Sequence, residues 1–231
     1  MYDLMTPTMR RNQYQTSKDT YTEFGHSAPL FKPLENPPKT KIQSLWADLL
    51  VIEQSPQPEI LINAWQSTPS SKYDFSLGRD KIVVKCTPTE DRIHGFSLDQ
   101  LRPSVKSNIL VASTVIRESD PCTGGLSLKD LYARIRSHVS AADSMLRLYQ
   151  IISQVVGTDV AQYEGLFFDY PSAVDYLEFY DGDDVPAIDR NCIPAEISDL
   201  SFSCNLSGLV DVRKGDASRN LKASSLFRCL V

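Results

Sequence analysis

The segment YDFSLGRDKIVVKCT, residues 73–87, is the stretch from which the fold can be deduced. Apolar and polar residues alternate on both sides of Gly78, a pattern typical of two short strands joined by a tight turn. Glycine at the first central position suits a two-residue type II′ turn made by Gly78 and Arg79. The segment therefore predicts a β-hairpin.

The turn type sets which residues lie opposite each other in this hairpin. A two-residue turn pairs Ser76 with Lys81 and Asp74 with Val83. Asp74 and Lys85 are then diagonal neighbours on one face, with Val83 beside both, whereas a longer turn would change the pairing.

An aspartate and a lysine on one face of a hairpin have two interpretations. If a further carboxylate lies nearby, the acids can hold a hard divalent cation such as Mg²⁺, which prefers oxygen ligands. The lysine can then assist the nucleophile that attacks a phosphoryl group. The alternative is a surface hairpin on which Asp74 and Lys85 only maintain solubility.

Upstream, the segment KIQSLWADLLVIEQ has its apolar residues at the spacing of an amphipathic helix, residues 41–52. Asp48 lies at the edge of this apolar stripe. A carboxylate at the edge of a buried face needs a partner or a metal ion. Alternatively, Asp48 is a surface residue at the margin of the stripe.

Downstream segments complete the pattern of an α/β protein. SNILVASTVI (107–116) predicts a buried strand, and LSLKDLYARIRSHV and DSMLRLYQIISQVV predict helices, the second ending at Gly157. AVDYLEFY and ISDLSFSCNLS predict two more strands. Together these elements predict a mixed central sheet flanked by helices, with added C-terminal strands.

Composition sets the limits of the domain and of its environment. Residues 1–38 are polar and without periodicity, which predicts a flexible arm before a domain at 39–210 and an unpatterned tail at 211–231. The net charge of −5 argues against a generally basic nucleic-acid binder but leaves room for a local basic groove. The chain has no apolar run long enough for a membrane span and no signal peptide, so we expect a soluble, cytoplasmic protein. The five cysteines have no metal-binding spacing and are expected to be reduced and buried.

The order of these segments resembles the PD-(D/E)XK nuclease superfamily. More narrowly, it resembles a bacterial family of PD-(D/E)XK-like proteins found among restriction and phage-defence genes. The resemblance depends on the order of several short segments between about Lys41 and Leu209: SLWADLLVIE, AWQSTPSSKYDFSL, IVVKCT, FSLDQL, GGLSLKDLYARIR and ISDLSFSCNLS. It implies a restriction-endonuclease-like fold.

The resemblance also assigns roles to residues. Asp74 would be the metal-binding aspartate of the first motif, Lys85 the lysine of the second, and Asp48 the helix acid found near the metal. The family pattern before the lysine is acid-x-Lys, but here the acid position holds Val83. Gln100 would support the site, although Ser97 beside it could simply begin a helix.

A metal site would need another acid in place of the motif acid, because that position holds Val83. Asp48 is the best candidate, while Glu90 could fold back from its loop and Asp80 lies at the turn. His94 could serve as a general base, contact phosphate or fill a loop.

Two functions follow from the resemblance. The first is a Mg²⁺- or Mn²⁺-dependent DNA endonuclease of restriction or defence type, impaired by Val83, with Lys72 or Lys81 contacting phosphates. The second is a nuclease fold without catalysis that contacts DNA or assembles with ATPase or methyltransferase subunits. A small-molecule enzyme has little support, because the sequence has no phosphate-binding glycine-rich loop.

Overall fold

The computed structural model describes residues 39–66, 68, 71–157, 165–214, 221 and 223–230. Helices and strands in these ranges occur in the following order: α1 (Lys39–Glu53), α2 (Pro58–Ala64), β1 (Phe75–Leu77), β2 (Asp80–Thr87), β3 (Ile93–Ser97), α3 (Leu98–Leu101), β4 (Asn108–Val115), β5 (Gly125–Ser127), α4 (Leu128–His138), α5 (Ala142–Val156), β6 (Phe167–Asp169), α6 (Tyr170–Asp175), β7 (Glu178–Asp181) and β8 (Ser201–Asn205). The predicted arm, residues 1–38, lies outside the described residues. Within the described part of the chain, no helix is long and apolar enough to cross a membrane.

The central sheet has the strand order β1-β2-β4-β7. β1 is antiparallel to β2, β2 is parallel to β4, and β4 is antiparallel to β7. This mixed sheet, flanked by helices, confirms the α/β architecture and is consistent with a restriction-endonuclease-like fold. The other strands form two small antiparallel sheets, β3-β8 and β5-β6.

The hairpin has the register that the sequence predicts. Ser76 pairs with Lys81, and Leu77 pairs with Asp80 across the turn. Gly78 has a φ of 58°, whereas Arg79 does not have a positive φ, which is the combination that a type II′ turn requires. Asp74 lies one residue before β1, so the same register places it opposite Val83.

Helix α1 is more deeply buried than an amphipathic helix, which corrects the sequence prediction. Its buried side chains surround most of the helix axis: Ile42, Leu45, Trp46, Ala47, Leu49, Leu50, Val51 and Ile52. Burial of each large apolar side chain contributes about 1.5–3 kcal/mol. The indole N–H of Trp46 donates a hydrogen bond to the Leu126 carbonyl at 3.1 Å, so no polar atom of that ring is left unpaired. A carboxylate on such a helix, such as that of Asp48, is therefore held inside the protein rather than at its surface.

Two apolar clusters lie on opposite faces of the central sheet. The larger cluster contains α1, α4 and α5 and the side chains of Phe75 and Ile82. The smaller cluster lies between the sheet and the β3-β8 pair: Val83, Phe96, Leu101, Ile109, Val111, Tyr180, Val185, Cys204 and Leu206. Residues of β2 alternate between the two clusters, as expected for a strand with both faces covered.

Helix ends follow the local sequence. Ser97 and Gln100 form a capping box at the start of α3, in which the Ser97 hydroxyl accepts from the Gln100 N–H and the Gln100 side chain accepts from the Ser97 N–H. Gly157 ends α5, as predicted, with a φ of 77°. These caps fix the ends of α3, which contacts β3, and of α5, which packs on α1 and α2.

Two details differ from the sequence predictions, and a third was not predicted at all. The first part of AVDYLEFY is helical, because Asp169 caps α6 by accepting from the Ser172 N–H; only Glu178–Asp181 is a strand. Cys122 and Cys192 are exposed, so the expectation of buried thiols is wrong for these two. Beyond residue 210, several side chains enter the larger cluster despite the lack of a sequence pattern: Val212, Leu221, Leu226, Phe227, Cys229 and Leu230.

Candidate metal and catalytic centre

Asp74 occupies the margin of the central sheet, directly before β1. Its carboxylate accepts a hydrogen bond from the backbone N–H of Val84 on β2 at 2.7 Å. Its backbone carbonyl accepts from the N–H of Gln66 at 2.8 Å. Burial raises the pKa of Asp74, while the Val84 hydrogen bond and the positive charge of Lys85 lower it. Asp74 is thus fixed at both its main chain and its carboxylate.

Asp48 reaches the same region from α1. Its carboxylate accepts a hydrogen bond from the indole N–H of Trp65 at 3.2 Å. The pKa of Asp48 is well above its ordinary value because the carboxylate is buried and because the negative charge of Asp74 lies close by; the Trp65 hydrogen bond opposes this shift. The structure therefore brings together the two acids that the sequence analysis assigned to a metal site.

Lys85 lies on β2 two residues after Val83, so strand alternation places its side chain on the same sheet face as that of Val83. Its ammonium lies 5.0 Å from the centre of the Phe96 ring, a distance at which a cation is attracted to an aromatic face. Burial lowers the pKa of Lys85, and the negative charge of Asp74 opposes this shift by raising the pKa. Lys85 and Asp74 thus lie within range of each other's charge.

Val83 occupies the position of the missing motif acid. Its side chain has no exposed surface and packs in the smaller apolar cluster with Val111 and Tyr180. The neighbourhood of Val83 is therefore an apolar core, and the carboxylate that lies close to Asp74 comes from α1.

A buried polar group lies next to Lys85 and consists of His94, Ser113 and Arg92. Ser113 lies directly opposite Lys85 on the neighbouring strand β4. Its hydroxyl is hydrogen-bonded to His94 Nε2 at 2.8 Å and accepts from the Arg92 guanidinium at 3.0 Å. Burial, followed by the positive charges of Lys85 and Arg92, lowers the pKa of His94 to about 4. His94 is therefore neutral at physiological pH.

The guanidinium of Arg92 is held from several sides. It also donates to the carbonyls of Ser113 and Tyr176 and forms an ion pair with Glu178. Arg92 itself has a φ of 49°, which is uncommon for a residue other than glycine. Apart from His94, no sequence pattern indicates this group.

Gln100 takes part in the capping box of α3, and its amide also donates to the Lys72 carbonyl at 2.8 Å. It thereby anchors the main chain two residues before Asp74. Lys72 itself forms an ion pair with Asp99, and Asp99 also binds Arg190.

Lys81, the other predicted phosphate contact, donates hydrogen bonds to the Ser76 hydroxyl and to the Gly78 carbonyl at 2.8 Å. Its ammonium therefore stabilises the hairpin turn.

Glu90 and Asp80 are engaged elsewhere. Glu90 is exposed and forms an ion pair with Arg117 at 2.9 Å. The Asp80 carboxylate accepts from the side chains of Asn108 and Ser224 at 2.7 and 2.6 Å. Of the acids considered as substitutes, Asp48 is the one brought close to Asp74, while Glu90 and Asp80 have other partners.

The comparison with protein families agrees with this arrangement of motifs. Residues 24–207 match the model of a family described as "Putative PD-(D/E)XK family member, (DUF4420)". The chain belongs to this family. No curated protein and no solved structure matches the chain.

Nucleases of the PD-(D/E)XK superfamily generally use divalent metal ions. The described residues contain no group of three or more His, Cys, Asp or Glu side chains that could hold such an ion. They do contain the pair Asp48 and Asp74; burial, and next the repulsion from the negative charge of Asp74, raise the pKa of Asp48. Mg²⁺ is commonly bound through one or two carboxylates with water in its remaining positions. The donor set therefore fits a hard divalent cation, which would also relieve the repulsion.

Proposed function

We propose that the chain is a divalent-metal-dependent DNA endonuclease that acts in the cytoplasm as part of a restriction or defence system. The observation that carries this proposal is the proximity of Asp48 and Asp74. Two negative charges close together in a buried setting are costly unless a cation neutralises them. Asp48 supplies the carboxylate that Val83 lacks, and the two acids hold Mg²⁺ or Mn²⁺. A bound divalent ion lowers the pKa of its water and neutralises charge on a phosphoryl oxygen.

Lys85 provides a positive charge beside Asp74. Its ammonium rests on the Phe96 ring and is close enough to Asp74 for that charge to affect its pKa. From this position the ammonium stabilises negative charge on the scissile phosphate and helps to orient the attacking water. Lys72 and Lys81 contribute phosphate contacts at the edge of the centre.

A second candidate function is a nuclease fold that contacts DNA or assembles with ATPase or methyltransferase subunits without cutting. The complete burial of Val83 favours this candidate, because the motif position belongs to an apolar core. In this case Asp48 and Asp74 would be the remnant of a metal site.

Plasmid nicking separates the two candidates. Supercoiled DNA is incubated with Mg²⁺ or Mn²⁺ and the purified chain, alone and together with the products of neighbouring genes, and Asp74→Asn is the matched variant. Ion-dependent nicking that is lost in Asp74→Asn supports the endonuclease. DNA binding without nicking under all of these conditions supports the second candidate.

A further inference from the structure

Trp65 connects the two carboxylates of the proposed centre. Its indole N–H donates to the Asp48 carboxylate at 3.2 Å, and the next residue, Gln66, donates its backbone N–H to the Asp74 carbonyl at 2.8 Å. The segment 65–66 therefore touches the side chain of one acid and the main chain of the other.

The Trp65 ring is itself rigidly held. It is 2% exposed and stacks on Phe75 with a centroid distance of 6.2 Å and an interplanar angle of 22°. A backbone bridge also pairs Trp65 with Phe75, the first residue of β1. Arg147 from α5 donates to the carbonyls of Ile62 and Trp65 at 2.9 and 2.5 Å, which fixes the main chain that carries the ring. Because the indole is held in this way, its N–H is fixed in the direction of the Asp48 carboxylate.

We infer that Trp65 is a positioning residue that orients the Asp48 carboxylate toward Asp74 for divalent-cation binding. This inference rests on the proposed function. A residue that hydrogen-bonds a metal-binding side chain typically changes metal affinity by about 10- to 100-fold when it is replaced. Trp65→Phe removes the N–H and keeps a ring against Phe75, so we expect the Mg²⁺ affinity to fall by about 10-fold.

The chain has two tryptophans, and the second supplies a matched control. Trp46 is equally buried, but its indole N–H donates to the Leu126 carbonyl instead of to a carboxylate. Trp46→Phe therefore loses the same kind of hydrogen bond inside the same core without touching Asp48.

The test is a Mg²⁺ titration of the full chain followed by NMR of the two indole N–H resonances, with Trp46→Phe used to assign them. We expect Mg²⁺ to shift the Trp65 resonance and leave the Trp46 resonance in place, with weaker binding in Trp65→Phe and unchanged binding in Trp46→Phe. The wild-type shift needs no variant, so misfolding of Trp65→Phe would not obscure the result.

Three outcomes overturn the inference, and they are distinguishable. If wild type and Trp65→Phe bind Mg²⁺ equally, Trp65 does not position Asp48, although the proposed metal site stands. If Mg²⁺ shifts the two indole resonances equally, the ion has no specific effect on Trp65. If wild type binds no Mg²⁺, the proposed function fails together with the inference.

Discussion

Asp48 on helix α1 and Asp74 at the start of the hairpin lie close enough for the charge of one to raise the pKa of the other. In the motif of the superfamily, the carboxylate next to Asp74 would come from the strand position that Val83 occupies. Here the neighbouring carboxylate comes from a helix packed on the opposite face of the sheet. Two acids thus lie close together, one supplied by the hairpin and one by the helix.

Replacement of Val83 by glutamate tests whether an acid at the motif position can contact a bound metal ion. Because Val83 has no exposed surface, Val83→Glu places a carboxylate in an apolar cluster and should lower the free energy of unfolding by about 3 kcal/mol without divalent ions. Mg²⁺ should recover more stability in Val83→Glu than in wild type, because a third acid then faces the ion. Thermal unfolding with and without Mg²⁺ measures both effects.

Val83→Thr is the control, since it keeps the shape of the side chain and adds no charge. Equal Mg²⁺-induced stabilisation in Val83→Glu and wild type would show that residue 83 does not reach the ion.

Lys85→Ala separates catalysis from metal binding. We expect the rate of plasmid nicking to fall by about 100-fold or more, the usual result of removing a charge that stabilises the transition state. The affinity for Mg²⁺ should be retained, because the variant removes a positive charge near Asp74. Lys106→Ala, at an exposed position between α3 and β4, should nick at the wild-type rate. A Lys85→Ala variant that nicks normally would remove Lys85 from the mechanism.

DNA binding by the isolated chain should be weak, independent of sequence and steeply dependent on salt. Each phosphate contact contributes about −0.9 to the slope of log K against log salt concentration. Lys72→Ala and Lys81→Ala should each make this slope shallower by about one.

Asp99→Asn should strengthen DNA binding, because Asp99 pairs with both Lys72 and Arg190. Fluorescence anisotropy over a range of salt concentrations measures these slopes, with Arg136→Ala on the exposed side of α4 as the control. Binding that ignores salt, or no binding at low salt, would favour a role in protein assembly.

His94 should make the protein sensitive to acid. Its pKa in the folded chain is about 4, below its ordinary value of 6.5, so the unfolded chain binds more protons between these two values. Stability contributed by neutral His94 is complete above pH 6.5 and falls by up to about 3 kcal/mol as the pH decreases to 4. Denaturant unfolding at several pH values should show a smaller loss in His94→Gln. His138→Gln, at the exposed end of α4, should behave like wild type; equal losses in all three proteins would contradict the account.

Local sequence patterns predicted the elements that carry the site. Alternation and a glycine turn were sufficient for the hairpin register that places Asp74 opposite Val83, since both depend on neighbouring residues. The apolar stripe placed Asp48 at its margin and left a surface position open, and the resemblance to the superfamily implied its metal-binding role. Helix α6 was missed because the capping signal of Asp169 followed by Tyr-Pro was not used.

Contacts between distant segments could not be predicted in this way. Trp65 and Asp48 are 17 residues apart, and Arg92 and Ser113 are 21 apart, so neither contact leaves a local pattern. The deep burial of α1 could not be predicted either, because an apolar stripe indicates one covered face and not the number of elements that surround the helix. Such features depend on how the sheet and helices pack.

The central claim is that Asp48 and Asp74 hold one divalent cation together, and calorimetric titration with Mn²⁺ tests it most directly. Wild type should bind one ion, and Asp48→Asn and Asp74→Asn should each lose at least about 10-fold in affinity. Asp80→Asn is the matched control, because Asp80 belongs to the same hairpin but binds Asn108 and Ser224. Wild-type affinity in Asp48→Asn, or no binding by wild type, would contradict the claim.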